Sequence, residues 1–150
     1  MFGNSKSKPI IMKKIFSICA LFIFSSTLLF AGNPPAAVVN AFKAKFPSAT
    51  DVKWGKENAT EWEAEFSAAG KTSSANFKDD GTFLETETAI PAAEIPSAAM
   101  EYIHQNKPGA TIKETARIEY ADGKVVFEIE VKGDDLLFDE AGKFLRESED

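Results

Sequence analysis

Residues 62–66, Trp-Glu-Ala-Glu-Phe, decide the fold of this chain because apolar residues and glutamates alternate strictly along them. Residues 127–131, Phe-Glu-Ile-Glu-Val, alternate in the same way. A period of two is typical of a β-strand that buries one face and leaves the other in water. The alternation therefore predicts five glutamates on a solvated sheet face: Glu61, Glu63, Glu65, Glu128 and Glu130.

Around these strands the chain repeats itself at a spacing of 61 residues. A first block of residues recurs at this spacing: Pro35, Ala37, Pro47, Ala49 and Thr50 match Pro96, Ala98, Pro108, Ala110 and Thr111. A second block does the same: Phe77, Gly81, Phe83 and Leu84 match Phe138, Gly142, Phe144 and Leu145. Two blocks that share one spacing indicate an internal duplication.

Each repeat predicts one helix followed by about four antiparallel strands. Apolar residues at helical spacing occupy 36–46, and Pro47 ends that helix. Pro96 opens the second helix, and Lys107-Pro108-Gly109 ends it. Short turns between the strands favour a meander, so the expected fold class is α+β, with the helices on one face of the sheet. The predicted repeats are 32–88 and 89–150, joined by an apolar linker at 89–95.

In the first strand of the second repeat, residues 112–120, the phase is harder to assign. Ile112, Ala116, Ile118 and Tyr120 broadly share one phase, which we expect to face the helix. The basic residues of the other phase are then expected on the solvated face beside the glutamates: Lys113 and Arg117.

The first 31 residues are expected to be a secretory signal peptide. Lys13 and Lys14 precede an apolar run of residues 15–30, which is shorter than the roughly 20 residues of a membrane-spanning helix. We expect cleavage after Ala31, with an uncleaved anchor as the alternative. Residues 1–11 are interpreted as an upstream extension before a natural start at Met12. The signal peptide predicts a periplasmic or secreted protein without stable membrane insertion after cleavage.

The charge balance excludes some functional classes. The whole chain carries a net charge of −6, and removing four lysines with residues 1–31 leaves −10. Such an acidic surface repels phosphates, so no nucleic-acid partner is expected.

The only cysteine, Cys19, lies in the predicted signal peptide, which excludes a thiol nucleophile or thiolate metal site in the remainder. The protein is expected to be a monomer.

No set of residues predicts catalysis, so neither an enzyme nor a cofactor is expected. His104 is the only imidazole and is expected on the surface near a helix end. The acidic turns, such as Asp79-Asp80-Gly81, lack the alternating ligands of a calcium loop, so no metal ligands are assigned. They are typical of hairpin turns. A cation bound by the acidic face or turns stays an alternative.

Three segments together resemble the PepSY-like family of beta-lactamase-inhibitor-like exported bacterial proteins. The segments are residues 46–54 (FPSATDVKW), 62–66 (WEAEF) and 77–87 (FKDDGTFLETE). The resemblance implies tandem repeats of a helix and four strands. The inhibitor relatives are thought to grip an enzyme with an aromatic-rich concave sheet. Here the aromatic residues fall on the phase assigned to the helix side instead: Trp54, Trp62, Phe66 and Phe127.

These features predict an exported, non-enzymatic binding or inhibitory module. Its expected partner is an envelope or secreted protein, such as a protease or another enzyme. The binding face is expected to be the open, charged sheet face that carries the glutamates and the two basic residues named above. The alternative is a periplasmic protein that binds a small ligand or a cation such as calcium.

Overall fold

A computed structural model describes residues 33–149 of the chain. The order of the elements is a helix, four strands, a short 3-10 helix, a second helix and four more strands. They are α1 (Ala36–Lys45), β1 (Thr50–Asn58), β2 (Glu61–Ala68), β3 (Lys71–Lys78), β4 (Phe83–Ala89), η1 (Ala92–Glu94), α2 (Ser97–Asn106), β5 (Ile112–Tyr120), β6 (Val125–Val131), β7 (Asp134–Asp139) and β8 (Phe144–Glu149). The predicted signal peptide and its cleavage site after Ala31 lie outside the described residues.

The eight strands form one antiparallel sheet in which each strand pairs with the next along the chain. The two predicted groups of four strands are joined because β4 pairs with β5, for example at Glu87 and Ile118. Tight turns make this meander possible, since all the connections except the one between β4 and β5 are short. The longer connection carries η1 and α2.

Both helices pack on the same face of the sheet, as predicted. Val38 and Phe42 of α1 are buried against β2 and β3, including Trp62 and Phe77. Ala99 and Ile103 of α2 are buried against β6 and β7. The strand register links the two cores across one face through successive neighbours: Phe66, Ser73, Thr88, Arg117, Phe127 and Phe138.

The predicted aromatic core is confirmed. Trp54 packs edge-on against Phe42, with ring centroids 5.2 Å apart. The indole nitrogen of Trp62 donates a hydrogen bond to Asp79 at 2.7 Å, which satisfies the one polar group of a buried ring. The Nζ atom of Lys56 makes a cation–π contact with the same ring, 4.4 Å from its centroid, and forms an ion pair with Oδ1 of Asp79 at 2.8 Å. These tryptophans therefore stabilise the fold beneath α1.

The assignment of faces in β5 is corrected by the pairing of β4 with β5. Arg117 lies opposite Thr88 and Phe127, which places it on the helix face and not on the solvated face. Ile118 lies on the other face, opposite Glu87. In the middle of β5 the apolar residues face away from the helices, which is the reverse of the expected phase. The reason is that the two helix-covered cores contain no residue from the middle of β4 or β5. Polar residues therefore occupy the helix side at the centre of the sheet.

Two threonines in this central strip offer a matched test. Within the described residues, the Thr86 hydroxyl is buried without a hydrogen-bond partner, whereas the Thr88 hydroxyl lies 3.1 Å from that of Ser73. Thr86→Val is expected to raise the free energy of unfolding by about 1 kcal/mol, because it removes an unsatisfied buried group. Thr88→Val is expected to lower the free energy of unfolding by about 1 kcal/mol, because it removes the hydrogen bond with Ser73. Urea unfolding of both variants measures the difference, and equal effects would contradict it.

Among residues 33–149, neither helix is long and apolar enough to cross a bilayer.

Candidate functional site

The face of the sheet opposite α1 and α2 is here called the open face. Within the described part of the chain, neither helix lies on it. Its acidic residues, identified through the strand register, are Glu61, Glu63, Glu65, Glu85, Glu87, Glu114, Glu128, Glu130, Asp135 and Asp139. The register also brings basic residues to this face: Lys53 opposite Glu65, Lys78 opposite Glu61 and Arg146 opposite Leu137. The open face is therefore strongly acidic.

Three of these carboxylates are buried, which corrects the expectation that the glutamates of β6 are solvated. Glu128 is 8% exposed, Glu130 is 5% exposed and Asp135 is 3% exposed. Glu130 pairs with the Lys113 ammonium group at 2.9 Å, so Lys113 reaches the open face as predicted. Burial costs a charged group much of its hydration, and such groups are normally paired. The acidic residues are thus built into the sheet surface.

Two glutamates of the open face, one in β2 and one in β4, have raised pKa values. Burial and, after it, the nearby charge of Glu57 together raise the pKa of Glu63 to about 7, although a hydrogen bond from Ser74 acts in the opposite direction. Burial also raises the pKa of Glu87 well above its ordinary value, with Glu128 and Glu63 as the main repelling charges. Each carboxylate opposes the ionisation of the next. Glu63 and Glu87 therefore keep their protons to a higher pH than an ordinary glutamate does.

A small apolar cluster lies among these carboxylates. Ile118, Val126 and Leu137 are buried together, and Tyr120 packs against them. The register places Ile118 opposite both Val126 and Glu87, on the open face. The alternation in β2 had suggested a uniformly polar face. The open face differs from that expectation because it also carries this buried apolar cluster. The acidic side chains border an apolar centre.

A cavity of about 470 Å3 opens at one end of the open face. Its apolar lining comes from the end of β4, the segment that leads into η1, and β5: Ala89, Ile90, Pro91, Ala92, Ile112 and Ala116. The remaining lining is mostly charged: Glu87, Lys113, Glu114, Glu128, Glu130 and Asp135, with Thr72 and Thr115 beside them. Five carboxylates and one ammonium group thus share this space.

The other candidate residues lie at a helix end and in a turn between strands. His104 is exposed in the last turn of α2. Asp79 accepts hydrogen bonds from Lys56 and Trp62, and Asp80 accepts one from the backbone of Thr82. Within residues 33–149, no three acidic or histidine side chains are grouped as a metal site requires. Asp79 and Asp80 lie in the short connection between the paired strands β3 and β4, so this acidic segment is a hairpin turn, as predicted.

The sequence pattern placed Glu63, Glu65, Glu128 and Glu130 on one face, and the structure places them on that face, with three strands between the pair in β2 and the pair in β6. Glu61 is partly buried at the start of β2 on the same face. The sequence pattern did not indicate the other acidic residues of this face: Glu85, Glu87, Glu114, Asp135 and Asp139. In β4 the glutamates alternate with threonines, so no apolar phase indicated which face they occupy.

A sequence model described as "Putative beta-lactamase-inhibitor-like, PepSY-like" matches residues 60–146, more than half of the chain. The chain belongs to the PepSY-like family. This confirms the resemblance that the strand and turn motifs suggested. The family description concerns likeness to inhibitors and assigns no reaction. Curated proteins give no match.

Several solved structures from Bacteroides share the architecture of this PepSY-like chain. A BLIP-like protein from Bacteroides fragilis is 24% identical, with a TM-score of 0.66, over 79% of this chain and 88% of that one. A protein from Bacteroides eggerthii, described as "putative periplasmic", is 19% identical, with a TM-score of 0.70, over 78% and 89% of the two chains. A DUF2874 family protein from Bacteroides ovatus is 18% identical, with a TM-score of 0.69, over 78% and 88%. These likenesses establish an α+β, BLIP-like fold with two helices and an eight-stranded antiparallel sheet.

Proposed function

We propose that this chain is an exported, non-enzymatic binding module that takes another exported protein on its open face. The observation that carries the proposal is the sheet itself: two helices cover one face, whereas neither helix lies on the other, which carries many acidic side chains and a cavity of about 470 Å3. A surface that concentrates charge of one sign steers and selects a partner of the opposite charge. Inhibition of an enzyme partner is one form that this binding takes.

The expected export of this chain supports an exported partner. The predicted signal peptide at 1–31 and the description of the similar Bacteroides eggerthii protein both favour the periplasm. We further propose that the two units, 32–88 and 89–150, arose by duplication, because the repeated residues at a spacing of 61 precede and follow equivalent elements. Duplication would explain a sheet wide enough for a protein partner. We expect the free module to be a monomer.

Crosslinking in envelope extract, followed by measurement with the purified partner, tests the proposed function. The open-face variant carries Glu63→Gln and Glu65→Gln, and the control carries Glu101→Gln and Glu119→Gln, two exposed positions away from the open face. The wild type and control are expected to capture one partner, and the open-face variant to bind it at least tenfold more weakly. Removing interface charges should also reduce the salt dependence of association.

Equal binding by all three proteins would contradict the choice of face. Failure to capture any partner would contradict the binding module. A saturable rise in melting temperature with calcium or a polyamine would then favour the alternative of a small-cation binder.

A further inference from the structure

The outer strand β1 is held to the sheet along one side only. It is an edge strand of the eight-stranded sheet, and within residues 33–149 it pairs with β2 alone. Its register with β2 is irregular at two places, between Thr50 and Lys53 and between Lys56 and Asn58. An extra residue in one strand interrupts the hydrogen-bond ladder locally. The second half of β1, residues 55–58, therefore depends strongly on its side-chain contacts.

On the helix face, the side chains of β1 hold the strand against the core. The Lys56 ammonium group lies 2.8 Å from Oδ1 of Asp79 and 4.4 Å from the centroid of the Trp62 ring. Hydrogen bonds from Lys56 and Trp62 lower the pKa of Asp79, so this ion pair persists at neutral pH. The Trp54 ring packs edge-on against Phe42 of α1. These contacts anchor β1 as far as Lys56.

On the open face, the same half of β1 meets carboxyl groups. Glu57 lies at the second irregularity of the register, and burial together with the charge of Glu61 raises its pKa. Glu63 of β2 lies opposite Gly55, which has no side chain, and accepts a hydrogen bond from Ser74 on its other side. Like charges on paired strands destabilise the pairing. The open-face contacts of residues 55–58 therefore oppose the helix-face contacts.

The charged groups around Glu63 are mostly acidic. Among the described residues, the charged side chains on this part of the open face are Lys53 and Glu57 of β1, Glu61 and Glu65 of β2, Lys78 of β3, and Glu85 and Glu87 of β4. The two lysines lie opposite Glu65 and Glu61, one row of the sheet away from Glu63 on either side. Burial and then the charge of Glu57 raise the pKa of Glu63 to about 7. Ionisation of Glu63 thus adds a charge beside β1 near neutral pH.

We propose that residues 55–58 form a pH-sensitive edge of the sheet, which pairs tightly with β2 while Glu63 is protonated and loosens when Glu63 ionises. The folded chain holds this proton more tightly than the unfolded chain does. Its contribution to the pairing is complete below pH 4.5 and is lost as pH rises through 7. An ionised carboxylate regains water when the end of β1 moves away. This edge acts in the chain alone, so it does not depend on the proposed partner.

Backbone relaxation of the isotopically labelled protein tests the proposal in the native state. The amide order parameters of residues 55–58 are expected to fall from about 0.85 at pH 5 toward about 0.6 at pH 8. The midpoint of the fall should lie near the pKa of Glu63, about 7. The order parameters of β6 should stay constant over the same range, because β6 is paired on both sides. Constant values in β1, or an equal fall in β6, would overturn the proposal.

Three variants identify the carboxyl group that is responsible. Glu63→Gln is expected to keep residues 55–58 rigid at both pH values, because glutamine cannot ionise. Glu65→Gln is the matched control: it removes a carboxylate from the same strand and face, but one that lies opposite Lys53, and the fall should remain. Lys56→Met removes the ion pair with Asp79 and should enlarge the fall. A fall that persists in Glu63→Gln, or disappears equally in Glu65→Gln, would overturn the assignment.

Discussion

Gly142→Ala is expected to lower the free energy of unfolding by about 3 kcal/mol, from positive-φ strain plus overpacking. Gly142 has a φ of +80°, and an added Cβ would lie 2.7 Å from the backbone nitrogen of Ala99 and 3.0 Å from the Cβ of Ala98. The turn between β7 and β8 thus touches the first turn of α2. Because the nearest atom belongs to the backbone, the helix or the turn must move to accept a methyl group.

Gly123 provides the matched control for that substitution. Its φ is +85°, but an added Cβ would meet nothing within 4 Å. Gly123→Ala therefore isolates the conformational strain and is expected to cost about 1 kcal/mol. Urea unfolding of both variants measures the difference. Equal costs would contradict the close approach of the turn to α2.

Gly81 is the counterpart of Gly142 at a spacing of 61 residues. Its added Cβ would lie 2.8 Å from the carbonyl oxygen of Ala37 in α1. Gly81→Ala is therefore expected to cost about as much as Gly142→Ala, about 3 kcal/mol. The two turns hold the two helices in the same way.

Glu63→Gln is expected to stabilise the protein at pH 8 by about 2 kcal/mol, a value reduced for the partial exposure of the side chain. The native pKa of Glu63 is about 7, above the ordinary value of 4.5. The native state therefore holds this proton more tightly than the unfolded state. Its contribution to stability is complete below pH 4.5 and is lost as pH rises through 7. Glutamine carries no proton to lose, so it removes the penalty.

Glu87→Gln is expected to act in the same direction, because the pKa of Glu87 is raised well above its ordinary value by burial and by the charges of Glu128 and Glu63. Chemical denaturation at pH 5 and pH 8 measures both variants, and the gain over wild type should be greater at pH 8. Glu140→Gln, at an exposed turn, is the control for loss of one negative charge. A gain of equal size at both pH values would contradict the raised pKa values.

The sequence by itself determined the strands and helices that bury apolar residues. Trp62 and Phe66 alternate with glutamates, and only one strand phase then places both rings in a core. The helices, starting after Pro35 and Pro96, were predicted to within one residue because proline and helical spacing mark their bounds. The aromatic residues under α1 could be assigned for the same reason. The hairpin turns followed from their Asp and Gly residues.

Only the tertiary structure decided how the centre of the sheet is arranged. No helix-covered core includes the middle of β4 and β5, so polar side chains such as Thr86 and Arg117 occupy the helix side there. Periodicity identifies two faces of a strand but not which of them meets a helix, and pairing with β4 settled that for β5. Burial of Asp135 and Glu128 likewise depends on neighbouring strands. The acidic cavity is therefore a property of the assembled sheet, because its walls come from segments far apart in the chain.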